Sequence, residues 1–95
     1  MNTAPELLNR AAALMQERAV QYDQPDGERS MGKAVAAFNI ITGHSLTEAE
    51  GWLMMGIVKD VRQWQIPGYH ADSAEDRIAY AALTAEAKSR DFHRL

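Results

Sequence analysis

The sequence predicts an all-α protein, a compact four-helix bundle-like domain, and three observations carry that reading. Apolar residues recur at helical spacing in four successive segments. Two of those segments open on a Thr-x-x-Glu capping signature, and proline or glycine punctuates the breaks between them. No stretch reads as a strand, an internal repeat or a low-complexity run. With 95 residues there is room for one domain with a thin core, so residues 1–95 are taken as a single unit.

The first helix, residues 4–21, starts at Thr3-Ala4-Pro5-Glu6, a capping box with proline just inside the helix. Leu7, Ala11, Leu14, Met15 and Arg18 fall on one stripe, and the helix fades before the turn Asp23-Gln24-Pro25-Asp26-Gly27. Arg18, on the inner side of that stripe, either snorkels to the rim or reaches into a polar pocket. The second helix, residues 28–42, turns Met31, Ala34, Val35, Phe38 and Ile41 inward and stops at Gly43. Its opposite side, Ala36, Ala37 and Ile40 around Lys33, suits contact with another subunit better than contact with water.

Thr47-Glu48-Ala49-Glu50 is the second capping box and opens a third helix, residues 48–65, that Pro67-Gly68 ends. Plotted at about 100° per residue it carries two stripes: Leu53, Ile57, Val58, Val61 and Trp64, read as the core face, and Trp52, Met55, Lys59 and Arg62. Asp72 or Ser73 caps the fourth helix, residues 73–90. Its face Asp76, Ala79, Tyr80, Leu83 and Ala87 looks inward, and the small apolar face Ala74, Ile78, Ala81 and Ala85 looks toward a neighbour. Two doubly apolar helices in so short a chain, together with two tryptophans and five methionines, predict a homo-oligomer with Trp52 or Ile40 in its interface.

Composition narrows the function classes. A formal charge of −3 argues against a duplex-DNA partner, though it leaves room for a local basic pocket. The absence of cysteine removes disulfides, thiolate catalysis and thiolate metal sites. No apolar run is long enough to span a bilayer, and Met1-Asn2-Thr3-Ala4-Pro5 lacks the pattern of a signal peptide, which predicts a cytoplasmic protein with no membrane partner.

The chemistry concentrates between residues 59 and 80. Lys59 and Arg62 are i,i+3 neighbours, while Asp72, Asp76 and Tyr80 step along by fours, so each set shares a helix face. If the faces meet, Asp76 needs a cation to offset desolvation, with Lys59 or Arg62 as its natural partner. The alternative is that Arg62, through its planar fork, and Lys59, as a point charge, hold phosphate oxygens. His70 is either a capping or solvent-facing residue or a general base or phosphate donor. Tyr22 and Tyr69 either stack on a base or plug the end of the bundle. Asp72 and Asp76, one turn apart, are a minimal set for magnesium. Neither a serine nucleophile arrangement nor a glycine-rich phosphate loop is present: Gly27 and Gly32, like Gly51 and Gly56, do not make a P-loop.

The order Arg18-x3-Tyr22-x2-Pro25, Met54-Met55-x3-Lys59-x2-Arg62 and Pro67-x4-Asp72-x3-Asp76-x3-Tyr80 resembles a family of small tailed-bacteriophage proteins of unknown function, over roughly residues 8–88. In that family the tyrosine is usually followed by glycine and the second helix opens with Asn-Phe; here those places read Asp23 and Ser30-Met31. The pattern is also distantly similar to the all-α MazG-like nucleotide pyrophosphohydrolases, whose final core helix carries an acidic pair, but it lacks their Glu-rich metal motif on the preceding helix. The resemblance implies a nucleotide binder without hydrolytic machinery. The leading expectation is a homo-oligomeric phage protein that sequesters a phosphorylated nucleotide immune signal, linear or cyclic, in the host cytoplasm. Its ligand-binding residues are Arg18, Tyr22, Trp52, Lys59, Arg62, Tyr69, His70, Asp76 and Tyr80, with no catalytic residue, metal or cofactor. One alternative is a magnesium-dependent MazG-like pyrophosphohydrolase using Asp72, Glu75 and Asp76; the other is a protein–protein adaptor that inhibits a host enzyme.

Overall fold

The computed structural model describes residues 2–22 and 30–93, with side chains over 2–18 and 30–92. Four helices follow in order: α1 (Ala4–Tyr22), α2 (Ser30–Thr42), α3 (Glu48–Gln65) and α4 (Ala71–His93). Among the described residues there is no strand. The turn expected at Asp23–Gly27 and the start of the second helix at Glu28 lie outside the described residues.

Local chemistry sets the helix ends. At α1, the Glu6 backbone N–H donates to Thr3 Oγ1 (3.3 Å), and the Thr3 hydroxyl donates to Glu6 Oε1 (3.0 Å). The capping box of α3 is complete: Glu50 N–H donates to Thr47 Oγ1 at 3.1 Å and Thr47 N–H to Glu50 Oε1 at 2.8 Å. The bond from Thr47 N–H, then the Thr47 hydroxyl and the nearby Lys88, hold the Glu50 carboxyl below the ordinary glutamate range. Gly43, at φ +76°, ends α2 in the left-handed conformation that glycine adopts freely, and its N–H closes on Asn39 O at 2.8 Å.

Both tight turns are fastened alike, by a side-chain amide that pairs with the two backbone groups of the residue seven positions on. Asn39 donates to Leu46 O (2.9 Å) and accepts from Leu46 N (2.8 Å). Gln63 donates to His70 O (3.1 Å) and accepts from His70 N (2.6 Å). His70 in turn caps α4, its Nδ1 accepting from Ser73 N–H at 3.3 Å and lying 2.7 Å from Ser73 Oγ. The cap is therefore His70, not Asp72 or Ser73, and the helix begins two residues earlier than the sequence predicts and runs on to His93.

α3 and α4 pack side by side as an antiparallel hairpin, the principal contact of the molecule. α1 lies against α4 and α2 against α3, and no backbone contact joins α1 to α2 among the described residues. The arrangement is open: the radius of gyration is 14.6 Å, against about 12 Å for a compact domain of this length. Among the described residues the buried apolar core is small, consisting of Ala11, Val35, Ala49, Trp52, Ala79 and Ala87. α1 and α4 present the faces the sequence predicts, with Ala11 on one and Ala79 and Ala87 on the other fully inside.

α3 inverts the expected faces. Leu53, Ile57, Val61 and Trp64, read as its core stripe, are exposed, and its inner face is Ala49, Trp52 and Gly56, with Gly51 against α2. Small residues decide this. A Cβ on Gly51 would lie 2.5 Å from Met31 Sδ and 2.9 Å from Val35 Cγ2, so α2 reaches α3 only because that side chain is missing. At Gly56 the Arg77 guanidinium fills the space, and Arg77 Nε donates to both Asp60 oxygens at 2.9 and 3.0 Å. On α2, Val35 is buried as expected, whereas Ile41 faces outward, Phe38 is nearly half exposed, and Ala34 is exposed.

Candidate functional site

Among the described residues α1 and α2 flank the hairpin with no backbone contact between them, and a cleft opens there with α3 and α4 as its floor. Met15 and Arg18 form one wall, Ser30, Met31 and Ala34 the other; Trp52, Met55, Ala79, Tyr80 and Leu83 form the floor. The cavity measures about 330 Å³, a volume within the usual range for small-molecule sites. Trp52 and Tyr80 stack in it at 5.6 Å between ring centroids, 23° apart in plane. Trp52 is thus an inner residue of its own protomer, and of the two residues expected at a subunit interface, Trp52 or Ile40, only Ile40 is exposed.

A second cavity of about 320 Å³ is lined by Leu14, Arg18, Lys59, Arg62, His70, Asp72, Glu75 and Asp76. Arg18 lines both, so an aromatic compartment and a charged one adjoin across its side chain. Arg18 realises both sequence alternatives at once: its side chain is half exposed, yet Nη2 reaches Asp76 Oδ1 at 3.3 Å.

Asp76 is the hub of the charged compartment. Its second oxygen accepts from Lys59 Nζ at 3.0 Å, and both of those side chains are mostly buried. The sequence anticipates Lys59 or Arg62 as the partner of Asp76; the structure selects Lys59 and adds Arg18. Arg62 lines the cavity without an in-chain carboxylate partner among the described residues. Glu75 is held by Arg10 at 3.1 Å, a cation that sequence reasoning missed although it stands one turn before Leu14. Gln63 was missed as well, and a polar residue on the buried face of α3 is the signal that could have found it.

His70 lines the same cavity while its Nδ1 is engaged at the helix cap. Its pairing with Ser73 does not make a nucleophile, because Ser73 is 1% exposed and out of reach of any substrate. Tyr69 is exposed and lines neither compartment. The side chain of Tyr22 lies outside the described residues. Asp72, Glu75 and Asp76 all border the charged compartment. Among the described residues no group of three or more His, Asp or Glu side chains is gathered tightly enough to hold a metal ion. Among the described residues no helix is long and apolar enough to cross a membrane. No protein-family model, curated protein or solved structure matches the chain.

Proposed function

We propose that the protein binds, without cleaving it, a phosphorylated ligand of the nucleotide class, linear or cyclic, and so withholds it from other receptors. The observation that carries the reading is the shared wall at Arg18: a stacked aromatic floor suited to a base adjoins a compartment lined by Arg18, Lys59 and Arg62, suited to phosphate. Among the described residues that line the charged compartment, Arg62 is the cation without a carboxylate partner, so it is the first phosphate contact, and Lys59 the second once Asp76 releases it. Glu75 and Asp76, two of the three acids a magnesium-dependent hydrolase would use here, are tied to cations, which favours binding over hydrolysis. As a phage protein in a bacterial host, it would sequester a nucleotide immune signal. It would work as a homo-oligomer, since many large apolar side chains remain exposed on a single chain.

The test is a panel of nucleotides, linear and cyclic, scored by melting temperature with and without magnesium. A ligand that binds only the native state stabilises it by about 2.7 kcal/mol at a hundredfold excess over Kd. Stabilisation without magnesium, intact ligand recovered after denaturation, and a larger loss for Arg62→Ala than for Lys59→Ala are the expected results. Magnesium-dependent release of pyrophosphate or monophosphate rejects the reading in favour of hydrolysis. No response to any nucleotide leaves the adaptor reading in its place.

A further inference from the structure

We infer that the outward face of α3 is a two-fold, antiparallel interface with a second copy of this chain, placed away from the cleft so that each protomer keeps a complete site of its own. The inference rests on the homo-oligomeric part of the reading above and not on the identity of the ligand.

Met54, Ile57, Val61 and Trp64 recur at spacings of three, four and three, the seam of a helix that packs on another helix. With Leu53 beside them they form a stripe about 100° wide, as broad as the buried face of an ordinary amphipathic helix. It is nevertheless open to solvent, with exposures from 44% at Ile57 to 88% at Trp64. At these exposures the five side chains offer roughly 600 Å² per protomer, close to the ~800 Å² per partner of a stable interface.

Two features point to a second copy rather than a charged or polar partner. The ionisable groups flanking the seam are already satisfied within the chain: Asp60 by both bonds from Arg77, and Glu50 by its capping box, with Lys88 nearby. Covering this face therefore leaves both carboxylates with their hydrogen bonds in place. The seam is also self-complementary when run antiparallel about its midpoint. Met54 then meets Trp64 of the partner, a thioether against an aromatic ring, and Ile57 meets Val61 of the partner, each twice by symmetry. At about 100° per residue the seam lies well around α3 from Met55, Lys59 and Arg62, which border the cleft and the charged compartment. Pairing there leaves both compartments open.

Sedimentation at micromolar concentration should show a dimer, about twice the 10.6 kDa chain mass. Ile57→Lys and Val61→Asp should each give a helical monomer by circular dichroism, and mixing the two should restore a heterodimer, because residue 57 of one chain faces residue 61 of the other. Restoration on mixing distinguishes a broken interface from a broken fold. A wild-type monomer overturns the homo-oligomeric reading itself. A wild-type dimer that survives both substitutions overturns only the assignment of this face, and separate monomers that fail to recombine overturn the antiparallel register.

Discussion

Replacing Asp76 tests both the stability and the function of the charged compartment. Its carboxylate holds Lys59 at 3.0 Å with side chains 15% and 13% exposed, and Arg18 at 3.3 Å with that side chain 52% exposed. Removing one partner of a fully buried pair costs about 3–5 kcal/mol, because the other charge is left uncompensated. The residual exposure, and a lysine stem able to swing its ammonium toward water, put Asp76→Ala at the lower end, about 3 kcal/mol. The half-exposed Arg18 contact is worth under ~1 kcal/mol, so Arg18→Ala is mild. Urea denaturation at fixed protein concentration reads both, and an Asp76→Ala loss below ~1 kcal/mol would show that solvent already screens the pair. The isosteric Asp76→Asn separates the functional readings. It removes one negative charge from the cavity and frees two cations. At about 8 Å and an effective dielectric near 20 that charge is worth roughly 2 kcal/mol, so a phosphorylated ligand should bind tenfold or more tighter. A magnesium-dependent enzyme would instead lose a ligand and its activity, and weaker nucleotide binding by Asp76→Asn would refute the phosphate-site argument.

Three further outcomes follow from the packing and the caps. Gly51→Ala should destabilise by about 1 kcal/mol, since overpacking of 1–3 kcal/mol against Val35 and Met31 outweighs the roughly 1 kcal/mol helix-propensity gain. Pairing it with Val35→Ala should show a coupling above ~0.5 kcal/mol in a double-mutant cycle, and additive losses would contradict the close approach. Gln63→Ala should cost about 2 kcal/mol, one for each bond to His70, and should raise amide exchange at the start of α4; unchanged exchange there would count against the clamp. Because the folded state lowers the Glu50 pKa, that group's contribution is complete above the ordinary glutamate pKa of about 4.3 and is lost as pH falls through its depressed folded value. Melting from pH 5 down to pH 3 should therefore decline more steeply for wild type than for Glu50→Gln; parallel curves would remove Glu50 from the account.

Features written in a few adjacent residues were legible in the sequence. The Thr3 cap, the Thr47 box, the Gly43 stop and the break at Pro67-Gly68 all appear where the local signals put them, because each needs only its own turn of chain, although the box expected at Thr3 is only half made: its hydroxyl, not its backbone N–H, reaches the Glu6 carboxylate. The inner faces of α1 and α4 were legible as well, each having one dominant stripe. α3 was not, because it carries two apolar stripes and hydrophobicity favours the wrong one. What selects the inner face is the absence of side chains at Gly51 and Gly56 and the small Ala49, which let neighbouring helices approach, and periodicity scores such residues poorly. His70 as a helix cap was also hidden, since histidine is not among the preferred capping residues while Asp72 and Ser73 are. In the site, Lys59 with Asp76 follows from helix spacing, but Arg10 and Arg18 reach α4 from a helix whose crossing no sequence period reports.

Among the described residues no backbone contact joins α1 to α2, and this gives the cleft an asymmetric mechanics. Its floor belongs to the hairpin, whereas each wall is fastened on one side only. A molecule seated there would act as a cross-link between the two walls. The free energy of such a ligand would be distributed unevenly: little added protection from exchange in α3 and α4, and most of it in α1 and α2, whose separate openings would merge into one.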